Sequence, residues 1–355
     1  MSPTSGSGVP FSHLQRLTDS IGVFEHAKLT ERRVEHGYCV DDVARGLVVA
    51  TREPAPTPAT AALASTYLRF LASAQAADGG MRNRLDADEV WQDEAGVEDC
   101  WGRALWGLGS AVAHSASPAL AAAALELFEA SAHRRSPWTR AMAFAALGSA
   151  AVLDAHPHHA GARSLLAEAA ERIDARGSDR TWGSPDWRWP EARLRYANAV
   201  LPETLLAAGH LLGEPRWVER GLDMLDWLLV TETAGDHLSV TPVGGWALGE
   251  PRPGFDQQPI EVAALADACA RAHDMTHDPR WAEAALLCVA WFEGANDVGV
   301  AMIDRVSGGG FDGLERGGRN DNQGAESTLA MLSTLQQGWR LRASDVTARA
   351  LLPAS

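Results

Sequence analysis

"ANAVLPETLLAAGHLLGEPRWVERGLDMLDWLLVTE", residues 197–232, holds two helices of opposite character around a short break at "GEP". The first carries Ala, Gly and Thr among its leucines on nearly every face, a composition suited to a helix enclosed by neighbours. The second alternates apolar and charged faces, as a helix covering the outside of a core does. A connection that short makes the two antiparallel neighbours. The segment therefore reads as one helical hairpin with an inner and an outer arm.

The same pattern repeats along the chain. Apolar residues at helical spacing predict helices near 41–52, 58–76, 99–114, 118–133, 137–154, 159–175, 196–212, 215–230, 259–276, 279–293 and 324–341, with a short one near 11–19. No run of alternating apolar and polar residues competes with them, so the chain is expected to be all-α. Proline-rich breaks follow the helices that start at 41, 99, 137, 196 and 259, whereas long loops at 77–98, 176–195, 231–258 and 294–323 follow most of their partners. Six small-residue helices inside and about as many amphipathic ones outside describe an (α/α)6 toroid. The expected organisation is a flexible segment 1–10, a single catalytic domain 11–342 and a C-terminal tail 343–355. All the long loops precede inner helices and so share one rim, and unstructured loops of such length usually carry function.

Charge narrows the partners. With 31 Lys and Arg against 46 Asp and Glu the net charge is −15, a field that repels nucleic acid and anionic membranes. No stretch is apolar enough to cross a bilayer and no secretory leader pattern opens the chain, so a soluble, cytoplasmic protein is expected. Cys39, Cys100, Cys269 and Cys288 have no metal-ligand spacing and are expected as reduced structural thiols. The glycine-rich "VSGGGFDGLERGG" lacks the form of a phosphate-binding loop, and no paired-histidine zinc motif occurs. No metal and no cofactor are expected.

Carboxylates gather where inner helices begin: Asp41 and Asp42, Glu98 and Asp99, Glu203, Glu261, and Asp321 and Glu326, with Asp186, Glu191, Asp256 and Asp312 in the loops. Acids there also cap helices and favour the macrodipole. Glu261 stands apart: Pro259 fits the first helical position and Gln258 the cap, which leaves Glu261 inside the first turn, expected to point into the central cavity. Tryptophan is abundant, 13 against 3 Tyr, and Trp182, Trp187, Trp189 and Trp246 lie in rim loops beside Asp186 and several arginines. Apolar ring faces next to bidentate polar groups suit pyranose rings.

An inner ring of helices with acids on one rim resembles the six-hairpin glycosidase superfamily, which includes α-mannanases, unsaturated-uronyl hydrolases and glucoamylase-like enzymes. Sugar epimerases of the N-acylglucosamine 2-epimerase type share the toroid. "EHGYCVDDVARGL" (35–47), "DQQPIEVAAL" (256–265) and "NDNQGAESTLAML" (320–332) also resemble a bacterial domain often found with glycosyltransferases, a likeness running from His13 to Trp339. The resemblance implies carbohydrate chemistry on the toroid without fixing the activity.

The leading expectation is a glycoside hydrolase acting on a neutral oligosaccharide, mannose-containing glycans among them. Two carboxyl groups are needed, one to protonate the leaving oxygen and one to activate water or attack directly. Asp41 or Asp42 is the expected base or nucleophile and Glu261 the expected acid, with Glu98, Asp99, Asp312 and Glu326 as alternatives. His36, Tyr38, Arg103, Asn198, Gln258, Asn322 and Gln323 are expected to bind hydroxyls. The alternatives are a sugar epimerase or isomerase working through His36 or His237, a phosphorylase using Arg82, Arg84, Arg316 or Arg319, and a non-catalytic glycan-binding module. Oligomeric state is open.

Overall fold

The computed structural model describes residues 8–178 and 187–350, and side chains within 8–175 and 187–344. Its helices are α1 (Ser12–Leu17), α2 (Val40–Arg52), α3 (Pro58–Ala74), α4 (Asp99–His114), α5 (Pro118–Ser131), α6 (Thr139–Ala155), α7 (Ala160–Ser178), α8 (Val200–Leu212), α9 (Pro215–Thr231), α10 (Pro259–Thr276), α11 (Pro279–Glu293) and α12 (Ala325–Ala350). The even-numbered helices form a closed inner ring in which α2 touches α4, α4 touches α6, and so on to α12, which returns to α2. The odd-numbered helices α3 to α11 pack outside their predecessors, and α1 packs on α12. This is the (α/α)6 toroid that the hairpin repeat predicts.

Local chemistry sets the hairpins. Pro58, Pro118, Pro215 and Pro279 open outer helices, and the side chains of Thr57, Ser117 and Asp278 accept from Thr60, Leu120 and Arg280 N–H groups at the caps. Proline in the first turn forfeits no hydrogen bond there. On the inner ring, α4 and α6 cross at contact distance of their backbones. A Cβ on Gly109 would stand 2.1 Å from the Gly148 carbonyl oxygen, and one on Gly148 would stand 2.1 Å from that of Leu105. Small residues are therefore a steric requirement of the ring.

The rim loops carry short antiparallel ribbons that a periodicity reading passes over: Ala27–Lys28 with Glu31–Arg32, Tyr38–Cys39 with Arg84–Leu85, Thr233–Ala234 with His237–Leu238, Ile303–Asp304 with Gly309–Gly310, and Gly313–Glu315 with Gly318–Asn320. The C-terminal end also differs from expectation. Apolar periodicity stops near 341, but α12 runs on to Ala350, carried by good helix formers such as Arg342 and Ala343 rather than by an apolar stripe. No helix among the described residues is long and apolar enough to cross a membrane.

Candidate active site

The Tyr38–Cys39 strand, held to Arg84–Leu85, delivers the chain in extended form to the start of α2 and so places Asp41 and Asp42 in its first turn. Asp42 is 2% exposed and accepts from Arg45, three residues on along the same helix. Arg45 also donates to Glu326 on α12 at 2.7 Å. One buried guanidinium thus serves two carboxylates. Burial pushes the Asp42 carboxyl up to about 8: Arg45 pulls it down, but Glu326, Glu25 and Asp41 add to the rise.

Asp41 lives differently. Its Oδ2 accepts from Asn83 at 3.3 Å, while its buried Oδ1 has no hydrogen-bond partner. Arg103 Nε, also buried and unpartnered, stands 3.7 Å from that oxygen. The Arg103 guanidinium lies over Phe144 at 4.7 Å and also stands 3.7 Å from Asp99. Asp99 in turn accepts from the Tyr196 hydroxyl at 2.5 Å, and burial raises its carboxyl above the usual range.

These groups open on a cavity at the rim with room for about 310 Å³. Of the residues singled out in the sequence it gathers Asp41, Asp42, Arg103, Gln258, Asp312 and Glu326. Asp312 accepts from Gly324 N–H at 2.7 Å and is raised by burial. The cavity adds Glu25, His26 and Arg45, which sequence reasoning did not place in the site, and Arg84, considered there only for phosphate. Glu25 pairs with Arg84 and lies 3.7 Å from His26, whose ring meets His36 edge-on at 4.9 Å. Arg45 had a legible signal in its i, i+3 relation to Asp42. Glu25 and His26 sit in aperiodic loop and had none.

Other expected residues are engaged elsewhere. Glu261, 4% exposed, accepts from the backbone N–H groups of Ala197 and Asn198 and, at 3.0 Å, from the Asn198 amide, so it fastens the 195–198 loop. Burial and the Glu232 carboxylate push Glu261 up, against the pull of those N–H groups. Asn198 is fully occupied, accepting also from Arg140 at 3.0 Å and from Arg195 N–H at 2.9 Å. Tyr38 is buried and donates to Asp19 at 2.8 Å. Gln323 is held by Ser307 at 2.6 Å and Asp304 at 3.0 Å, and Asn322 accepts from Leu29 N–H at 2.9 Å. Glu98 is the exposed cap residue of α4, outside the cavity lining, and Glu203 pairs with Arg271 at 3.1 Å deeper along the axis. His237 is tied to Asp297 at 2.9 Å.

The loop tryptophans form a staple. Trp187 lies against Trp227 and Trp246 with ring centres 5.3 Å apart in each case, and Trp189 stacks on Trp227 at 6.0 Å. Trp187 and Trp189 are buried, so the cluster pins two long loops to α9 and contributes no ring to the rim cavity. Trp182 and Asp186 lie outside the described residues. Of the four arginines considered for phosphate, only Arg84 lines the cavity, and it is paired; Arg319 is held by Asp321 at 3.1 Å and Arg316 covers Phe255 at 5.4 Å.

Glu25, Cys39 and Asp42 each bring a ligand atom within 4.8 Å of the others. Arg45 and Arg84 already occupy the two acids as hydrogen-bond donors, and burial pushes the Cys39 thiol well up, so the trio suits a protonated thiol better than a divalent ion.

No protein-family model matches the chain and no curated protein matches it. Solved structures do. A sugar epimerase from a ruminal bacterium superposes with a TM-score of 0.72 at 12% identity, over 96% of this chain and 96% of that one. Cellobiose 2-epimerase from Spirochaeta thermophila gives 0.69 at 13% identity, over 95% and 94%. A GH76 α-mannanase from Bacteroides thetaiotaomicron gives 0.61 at 7% identity, over 87% and 88%. At such identities the likeness establishes the fold alone, an (α/α)6 toroid.

Proposed function

We propose that this protein is a carbohydrate-active enzyme of the hydrolytic kind, cleaving a glycosidic bond in the rim cavity. The observation that carries the reading is the contrast between two adjacent carboxyl groups. Asp42 is buried and pushed up to about 8, so it holds a proton at neutral pH; Asp41 presents a buried oxygen without a partner beside Arg103. Neighbouring carboxyls in opposed environments are how one site runs acid and base chemistry together.

In this scheme Asp42 gives its proton to the departing glycosidic oxygen, and Asp41 takes a proton from water or attacks the anomeric carbon. This moves the acid role from Glu261, the expected donor, to Asp42, where burial outweighs the favourable N-terminal dipole. Arg45 keeps Asp42 and Glu326 in place, and Arg103, Gln258 and Asp312 are the hydroxyl-binding groups. A cavity lined by acids and arginines together favours a neutral polyhydroxy ligand, mannose-containing oligosaccharides included. The likeness to the GH76 α-mannanase supports this direction.

One observation favours a second reading on the same scaffold. His26 lines the cavity with Glu25 at its side, and an imidazole there is a proton carrier suited to epimerisation, the activity named for two of the similar structures. Mass-resolved product analysis on manno-, gluco- and galacto-oligosaccharides separates the two. Products that have gained water, lost in both Asp42→Asn and Asp41→Asn, support hydrolysis. Products of unchanged mass, lost in His26→Ala, would replace it with epimerisation.

A further inference from the structure

The rim cavity lies where the inner helices begin. Further along the same helices, at the other mouth of the toroid, a second cavity has room for about 460 Å³, more than the rim cavity, and shares no lining residue with it. Every inner helix sends a polar side chain to its wall: Arg52, His114, Asp154, His210, Arg271 and Arg340. Each arginine is matched with an acid of the same wall, Arg52 with Asp267 at 3.0 Å, Arg271 with Glu203 at 3.1 Å and Arg340 with Asp274 at 2.8 Å. Arg271 meets Glu203 through Nε alone, which leaves its terminal N–H groups for another acceptor.

The remaining polar groups are unspent. His114, Asp154 and His210 are exposed in the cavity and have no hydrogen-bond partner among the described residues. Gln336 is 6% exposed and donates to the Val49 carbonyl at 2.9 Å, but its buried Oε1 accepts from nothing. Burial and the charges of Arg52, Arg271 and Arg340 hold the His114 imidazole down to about 4, so at neutral pH it offers one donor and one acceptor. An anion here would face the carboxylates of Asp154, Glu203, Asp267 and Asp274, and a cation would face three guanidinium groups. Paired charges with spare donors and acceptors suit a molecule that gives and takes hydrogen bonds but is itself neutral. Trp339 and Met275 add apolar surface for C–H groups. We propose that this mouth of the toroid is a second binding site, separate from the rim, for a neutral polyhydroxylated molecule of sugar size. The site binds whatever reaction the rim performs.

Histidines report the two mouths separately: His114 and His210 line this cavity, whereas His26 lines the rim cavity. The full chain with isotope-labelled histidine is titrated with D-mannose, D-glucose and D-mannitol, and separately with sodium acetate and putrescine, while the imidazole resonances are followed by NMR. Asp154 is exposed and fastens nothing, so Asp154→Ala is expected to melt as wild type does. Saturable shifts of His114 and His210 with at least one of the three neutral probes, retained in Asp42→Asn and half-saturating about tenfold or more higher in Asp154→Ala, are the expected result. No saturable shift with any of the three, or equal affinity in Asp154→Ala, overturns the proposal. Saturation by acetate or putrescine in place of the neutral probes overturns it as well, by making the site one for ions.

Discussion

Asp42 and Asp41 share a peptide bond yet meet different surroundings, and the pH dependence follows from Asp42. As general acid it must be protonated, so turnover should fall as pH rises through about 8, and Asp42→Asn should lower kcat by about 10²–10⁴-fold. A pH–rate profile checks both, and activity persisting well above that pH would exclude Asp42 as the acid. Stability carries the same signature. The folded state keeps a proton on Asp42 that the unfolded chain has lost, so this group weakens folding progressively from the usual carboxylate range up to about 8. Urea melts from pH 4 to 9 should show the wild type losing ground to Asp42→Asn over that span and holding level beyond it. Glu261 makes the contrasting prediction. Glu261→Ala strips three donors of their acceptor and is expected to cost about 1–3 kcal/mol of stability, with any loss of activity tracking displacement of Tyr196 from Asp99. Denaturation and kinetics on one variant measure both effects.

At the scale of elements, the α4–α6 crossing is the strictest requirement of the ring. Gly148→Ala should destabilise the protein by about 1–3 kcal/mol through overpacking against Leu105, measurable as a lowered urea midpoint at unchanged slope. The helices were legible because proline starts, small inner faces and charged outer faces are local signals. The rim was legible only in part. Asp41, Asp42 and Glu326 announce themselves at helix starts and Asp312 in a glycine-rich loop, whereas Glu25 and His26 reach the cavity through a loop whose path depends on distant contacts such as Ala325 N–H to the Glu25 carbonyl at 3.0 Å. Glu261 and the loop tryptophans show the opposite failure. Their residue types suit sugar chemistry, but their hydrogen-bond and ring partners, Asn198 and Trp227, come from parts of the chain whose approach no local pattern reports.

The molecule as a whole carries a charge of −15, which bears on the phosphorylase alternative. A phosphate co-substrate would enter against that field, and Arg84 in the cavity is already paired with Glu25. Adding inorganic phosphate to the reaction is therefore expected to leave the rate unchanged and to yield no sugar phosphate by mass spectrometry; a phosphorylated product would reassign the reaction.

Closure of the ring also governs when the site comes into being. Asp41, Asp42 and Arg103 lie near the start of the chain, while Gln258, Asp312 and Glu326 lie near its end, and the two groups meet where α12 returns to α2, with Gln336 donating to the Val49 carbonyl at 2.9 Å. A ribosome making this protein must release most of it before the last inner helix can dock, so the nascent chain passes through synthesis with its acids apart and its axis open to water. Competence arrives in one late step, and a message cut short before α12 would yield an inert product.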